Sequence, residues 1–159
     1  MDTVSPERRS EIMRCIRGKD TAPELAVRRF LHGEGLRFRL HRAGLPGTPD
    51  LVFPARRICV FVHGCFWHGC PRCAAGGRRV KSNTAYWEAK RVANRARDRR
   101  VEASLAAAGW RVLEVWECQV RDPRMLARLA RAVRRAAVKK SVNGSVSTRR
   151  FDRICLPGI

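Results

Sequence analysis

The spacing of apolar positions changes along the chain, and each change marks an element. Ser5-Pro6-Glu7 carries the chemistry of a helix start, with Ser5 as N-cap, Pro6 at the first helical position and Ile12, Met13 and Ile16 as the inward stripe before Gly18. Thr21-Ala22-Pro23-Glu24 starts a second helix, its Thr and Glu at capping-box spacing and Val27, Phe30 and Leu31 on one face before Gly33. The period then falls to two: Leu36, Phe38 and Leu40 alternate with Arg37, Arg39 and His41, as in a half-exposed strand. Gly44-Leu45-Pro46-Gly47-Thr48-Pro49 is turn chemistry leading into a short strand, Asp50-Leu51-Val52-Phe53. Residues 54–57 turn the chain into the apolar run Ile58-Cys59-Val60-Phe61-Val62, a buried strand.

A loop of histidine, cysteine and aromatic residues follows, then Gly76-Gly77-Arg78-Arg79, which reads as basic and flexible. Ser82 or Asn83 can cap a long helix that runs to about Ala108, with Gly109 at C′. Val92, Ala96 and Leu105 give it a thin apolar face; arginines crowd the others. Residues 110–116 form the fourth strand, and Asp122-Pro123 opens a last helix with Leu126, Leu129 and Val133 turned inward. This order predicts an α/β domain over 1–138, a central mixed sheet flanked by helices. Short turns make the first three strands antiparallel neighbours, while strand, long helix and strand suit a parallel crossover. Residues 139–159, rich in Ser, Lys, Gly, Asn and Arg, are expected to form a mobile basic tail, and the chain has no internal repeat.

Composition narrows the function. Hydrophobic residues make up 45% of 159, enough for one core, and 34 Lys and Arg against 14 Asp and Glu leave a net charge of +20. Self-repulsion on that scale is offset by a polyanion, and nucleic acid comes first because each neutralised phosphate releases counterions. An acidic membrane fits less well, since the arginines are spread along the chain. The apolar runs are far short of the roughly 20 residues of a membrane span, and the N-terminus lacks the apolar core of a signal peptide. A cytoplasmic location is therefore expected, and the protein is expected to act as a monomer. Seven clustered cysteines then favour a metal over disulfides.

The densest chemistry is His63-Gly64-Cys65-Phe66-Trp67-His68-Gly69-Cys70-Pro71-Arg72-Cys73. Zinc takes four ligands, and a C-x-x-C turn presents two sulfurs. Cys70 and Cys73 are such a pair, Cys65 can fold back as a third corner, and Cys118, just past the fourth strand, can meet them if that strand lies beside 58–62. A redox pair and buried apolar thiols are the rival readings. Asp50, at a strand start, can share a magnesium ion with a backbone carbonyl at the end of the neighbouring strand, namely Val62. His68 can then activate the attacking water, unless it is itself a zinc ligand, and Asp50 has a plain alternative as a turn cap. Glu24 is explained by its capping-box spacing alone, and His63 by a strand-end hydrogen bond. Phe66, Trp67, Tyr86 and Trp87 on a basic surface suit stacking or wedging into a duplex, with one ring of each pair in the core as the alternative. Trp110 and Trp116 read as core.

Taken in order, Lys19-Asp20-Thr21-Ala22-Pro23-Glu24, Leu45-Pro46-Gly47-Thr48-Pro49-Asp50, Val60 through Cys70, Arg97-Asp98-Arg99-Arg100, Gly109-Trp110-Arg111-Val112 and Val115-Trp116-Glu117 resemble the very-short-patch mismatch repair (Vsr) endonucleases. The resemblance runs from about Arg9 to Cys118, and Gly-Cys-Phe-Trp-His is its most specific string. It implies a restriction-endonuclease-like core with a structural zinc, nicking double-stranded DNA 5′ to the T of a T·G mismatch left by 5-methylcytosine deamination. It further implies that Asp50 binds Mg2+, that His68 assists the water, that Glu24 and His63 are accessory groups, and that Phe66, Trp67 and Trp87 wedge into the duplex. Other repair proteins would be further partners. The chain departs from the family's pattern where Cys70 and Cys73 stand in place of His then Cys, with one residue more. The rivals are a zinc DNA-binding module without catalysis, a restriction-type nuclease acting on matched DNA, and a cytosolic redox protein.

Overall fold

Residues Arg39–Leu40 (β1), Leu51–Phe53 (β2), Ile58–His63 (β3) and Arg111–Trp116 (β4) pair in that order into one four-stranded sheet. The computed structural model describes Ser5, Arg8, Glu11, 18–80 and 83–136. The helix expected over 5–17 and the tail expected over 139–159 thus lie outside the described residues, save for those three isolated positions. The β1–β2 and β2–β3 pairs are antiparallel and the β3–β4 pair is parallel, as the turn lengths and the crossover require. This is the expected single α/β domain with a mixed sheet.

β1 is shorter than the alternating pattern suggested: only Arg39↔Val52 and Leu40↔Leu51 pair, and His41, at a φ of 41°, turns the chain out of the strand. Leu36 is still buried, but Leu40 is 44% exposed.

The helices divide between the two faces of the sheet. Ala22–Gly33 (α1) and Pro123–Arg135 (α6) cover one face, where Val27, Leu31, Leu126, Leu129 and Val133 pack against Leu51, Phe53, Ile58, Val60, Leu113 and Val115. Asp122 caps α6 by accepting from the Arg124 N–H. Thr84–Ala107 (α4) covers the other face through Leu105, which meets Val52 and Cys59 with half-buried Phe61, Val101 and Val112 around them. Val92 does not join that face; it is 54% exposed, because this half of α4 lies over the cysteine-rich segment instead of the sheet.

Three single-turn helices complete the described fold: Cys65–His68 (α2), Ala74–Gly77 (α3) and Glu117–Val120 (α5). The glycines of α3 are not a flexible spacer. Gly76 is buried, and a Cβ there would collide with the backbone of Cys70, so the turn closes tightly on the thiol segment.

Candidate active site and thiol cluster

A cleft of about 440 Å³ opens on the α4 side of the sheet, where β3 ends. Asp50, Val62, His63, His68, Glu24 and Asp98 all line it. Asp50 comes from just before β2, Val62 and His63 from the end of β3, Glu24 from α1, His68 from α2 and Asp98 from α4, so only the folded sheet brings them together. Asp50 stands one residue before β2 and accepts the Val62 N–H at 2.7 Å, which fixes its carboxylate beside the end of β3. Burial raises the Asp50 carboxyl above its ordinary range; the Val62 N–H opposes this, and the nearby Glu24 charge adds to it. A buried carboxylate is stabilised by a neighbouring cation, so the chemistry of Asp50 suits a hard divalent ion.

The two histidines meet with ring centres 4.4 Å apart, His63 from the end of β3 and His68 from the last residue of α2. His63 is buried, and its Nε2 lies 3.5 Å from a Glu114 carboxylate oxygen. His68 Nδ1 lies 2.5 Å from Asp98 Oδ2 on α4. Burial pushes the Asp98 carboxyl up, but the hydrogen bond and charge of His68 outweigh it, so Asp98 is held low and ionised. An imidazole that donates from Nδ1 to a carboxylate presents Nε2 as the basic nitrogen.

Glu24 does not form the capping box its spacing predicts. The Thr21 hydroxyl donates to Glu24 Oε1 at 2.8 Å, while Oε2 accepts from the Asp20 N–H and from Arg28 Nη2, each at 3.0 Å. Glu24 thus reaches one residue past the N-cap and stays buried at the rim of the cleft. Arg28 also donates to Asp20 at 2.5 Å and lies 3.0 Å from His41 Nε2, tying the start and middle of α1 to the end of β1.

The four cysteines singled out by spacing come together. The sulfurs of Cys65, Cys70, Cys73 and Cys118 lie within 4.8 Å of one another. The parallel register His63↔Trp116 explains this: two residues beyond that pair, Cys65 opens α2 and Cys118 enters α5 at the same sheet edge. Cys70 Sγ is 3.8 Å from Cys118 Sγ. That is the edge of a tetrahedron whose corners lie about 2.3 Å from its centre, the length of a zinc–thiolate bond. Burial pushes the Cys65 thiol up and the Cys118 thiol to about 11, whereas the Gly76 N–H draws the Cys73 thiol down. Four crowded sulfurs become thiolates together only around a cation, so the set fits a tetrahedral metal. His68 is engaged by Asp98, which leaves the cluster all-sulfur. Cys59 is buried in β3, its thiol pushed up by burial to about 12, and is inert.

Phe66, Trp67 and Trp87 pack as a triangle with ring centres 5.3, 5.5 and 5.5 Å apart. All three are half-buried, so each keeps surface for a partner. Tyr86 extends the group, half exposed, and the Lys90 ammonium lies over both Tyr86 and Trp87. Trp110 and Trp116 are half-buried: Trp110 packs against the Val52, Cys59 and Leu105 cluster with Arg42 and Arg57 over its ring, and Trp116 lies against His63.

Sequence reasoning left Asp98 and Arg28 without roles. The signal for Asp98 was present, since it is the one acid in the basic stretch from Ala89 to Val101. Arg28 had none, being one of two adjacent arginines on a helix.

Comparison with known proteins agrees with this geometry. A family model described as DNA mismatch endonuclease Vsr matches residues 1–74. The chain is 59% identical over 121 residues to the type II nicking enzyme V.XorIIP of Xanthomonas oryzae pv. oryzae, covering 76% of this chain and 88% of that one. It is 44% identical over 115 residues to DNA mismatch endonuclease Vsr of Escherichia coli (strain K12), covering 71% of each. The type II nicking enzyme V.NmeAIP of Neisseria meningitidis is 38% identical over 123 residues, with 76% and 85% covered.

Proposed function

Because the chain belongs to the Vsr family of DNA mismatch endonucleases, we propose that it nicks one strand of duplex DNA 5′ to the T of a T·G mismatch. The observation that carries this reading is the His68–Asp98 pair facing Asp50 across one cleft. Asp50 and the Val62 carbonyl would hold magnesium, which when bound would polarise the scissile phosphate and neutralise developing charge. His68 Nε2 takes the proton of the attacking water, while Asp98 keeps the ring oriented and stabilises its protonated form. Water oxygen bonds to phosphorus as the P–O3′ bond breaks, leaving a 5′-phosphate and a 3′-hydroxyl that collects the proton. Buried His63 lies against His68, and Glu24, fixed by Thr21, Asp20 and Arg28, would place negative charge beside a bound, hydrated ion. The Cys65, Cys70, Cys73 and Cys118 sulfurs hold zinc that fixes the segment carrying His68. Phe66, Trp67 and Trp87 enter the duplex beside the mismatch and kink it. Residues 1–138 form the endonuclease domain.

The test is magnesium-dependent nicking of a duplex with one T·G pair against its T·A control. Nicking should be confined to the mismatched duplex and abolished in Asp50→Ala, which still binds DNA. Equal cleavage of both duplexes would favour a nuclease of matched DNA.

A further inference from the structure

The outer face of α6 carries charge that the cleft does not use. The helix contains five arginines and no Asp or Glu. Arg124, Arg131 and Arg135 fall seven and four residues apart, which at 3.6 residues per turn is one stripe about 16 Å long. All three are exposed, and among the described residues none of them has an ion pair. Arg134, off the stripe, is the one that Glu34 engages, at 2.8 Å. Like charges at this spacing weaken a helix, and Arg124 sits in the first turn, where the helix dipole already disfavours a cation. Arg135, in the last turn, suits the dipole, so it is the shared exposure of the three guanidiniums that leaves the stripe open to an external anion.

The position of the stripe excludes the DNA being cut. α6 covers the sheet face shared with α1, whereas the cleft opens on the face covered by α4. The sheet and the full diameter of α6, about 10–12 Å, separate the two surfaces. A lipid surface is a poor occupant, because Leu126, Leu129 and Val133, the apolar residues that would enter it, are buried against the sheet. A duplex needs no apolar contact and presents one charge per about 1.7 Å of its axis. We propose that Arg124, Arg131 and Arg135 form a second DNA-contact surface, which holds the phosphate backbone of a duplex segment other than the one in the cleft and reads no sequence. The choice of DNA over another polyanion rests on the endonuclease reading; the surface itself does not.

The experiment measures whether one duplex captures another. A biotinylated T·G duplex is immobilised, the full-length protein is bound, and retention of a fluorescent duplex of unrelated sequence is followed as salt is varied. The wild-type protein should retain the second duplex. Arg124→Glu/Arg131→Glu/Arg135→Glu should lose at least about tenfold of that retention while nicking a short T·G duplex at the wild-type rate. The plot of log retention constant against log salt should become shallower by about 2 to 3, near 0.9 per lost phosphate contact. If the charge reversal impairs folding, as judged by circular dichroism, the corresponding triple Gln variant decides, with the same loss expected. Undiminished capture by the folded variant would overturn the proposal. So would no capture by the wild type, or variant-sensitive binding to anionic vesicles with DNA capture intact. Failure of wild-type nicking would count against the endonuclease reading and leave the capture result standing.

Discussion

The two faces of the sheet are built on different terms. Among the described residues, the face under α1 and α6 buries thirteen in one cluster; the face under α4 buries three, Val52, Cys59 and Leu105. The first is a core in the ordinary sense, and its contribution grows with apolar area removed from water. The second is thin because the space where more apolar residues would sit is the cleft. There, cohesion comes from polar and sulfur contacts: Asp50 to Val62, His68 to Asp98, Cys65 N–H to Glu117, and the four thiols. The thick core and most of the cleft lining thus lie on opposite sides of one sheet.

The strongest way to break this contrast is to remove the sulfur staple. The protein should carry one zinc per chain, and Cys70→Ser or Cys118→Ser should lose most of it. Structural zinc binding is worth about 10–16 kcal/mol, so the segment bearing His68 should become protease-sensitive. Undiminished zinc in both variants would show that the sulfurs are not its ligands. Next in size, His68→Ala should lower nicking by about 10²- to 10⁴-fold with melting temperature little changed, as expected on a face that does not hold the core. A matching collapse of stability would erase the distinction between faces.

On the other side the expectation reverses. Leu129→Ala should cost about 2–5 kcal/mol in unfolding while the nicking rate per folded molecule stays at the wild-type value. Trp87→Ala should weaken binding to the mismatched duplex by about 1–3 kcal/mol, the range for a lost stacking ring, and leave unfolding nearly as it was.

The finest test uses acidity. The Asp50 carboxyl is raised by burial, so in the folded state its ionised form is disfavoured. Without magnesium, Asp50→Asn should therefore raise the melting temperature at neutral pH, and that gain should shrink as pH falls and the wild-type group takes its proton. Asp98 is the opposite case. Its pKa is lowered, so its contribution to stability is present above the ordinary carboxylate range and disappears as pH drops through the folded value. Asp98→Asn should lower the neutral-pH melting temperature, with the difference fading in acid. Parallel pH profiles for the two variants would overturn one of the two assignments, the sign of the shared change showing which.

Much of the site could be read in advance because its residues are local. Asp50 opens a strand, His63 closes one, and Cys65, Cys70 and Cys73 share a single loop, so short-range pattern was enough. Cys118 needed only the assumption that β4 lies beside β3, which the long crossover helix made natural. Asp98 escaped because it is thirty residues from His68, and a lone acid among arginines on a helix reads as solvent-facing charge balance. Glu24 was masked by its own spacing: position predicted a cap, but the buried Arg28 guanidinium drew the carboxylate inward. The Gly76-Gly77 pair misled for a related reason. Glycine marks both freedom and close approach, and only the Cys70 backbone lying against Gly76 decides between them.

The six-residue alignment of β3 with β4 gives the molecule a common ruler. Leu113 and Val115 reach the thick core, Val112 and Glu114 border the cleft, and Cys118 closes the thiol set, all measured from the same strand. Dropping one residue from within Arg111–Trp116 would turn the inward leucine and valine outward and carry Cys118 away from its partners at a stroke. Protein engineers recombining segments among relatives should therefore keep this strand whole and place crossovers outside it, for instance in the turn between α5 and α6.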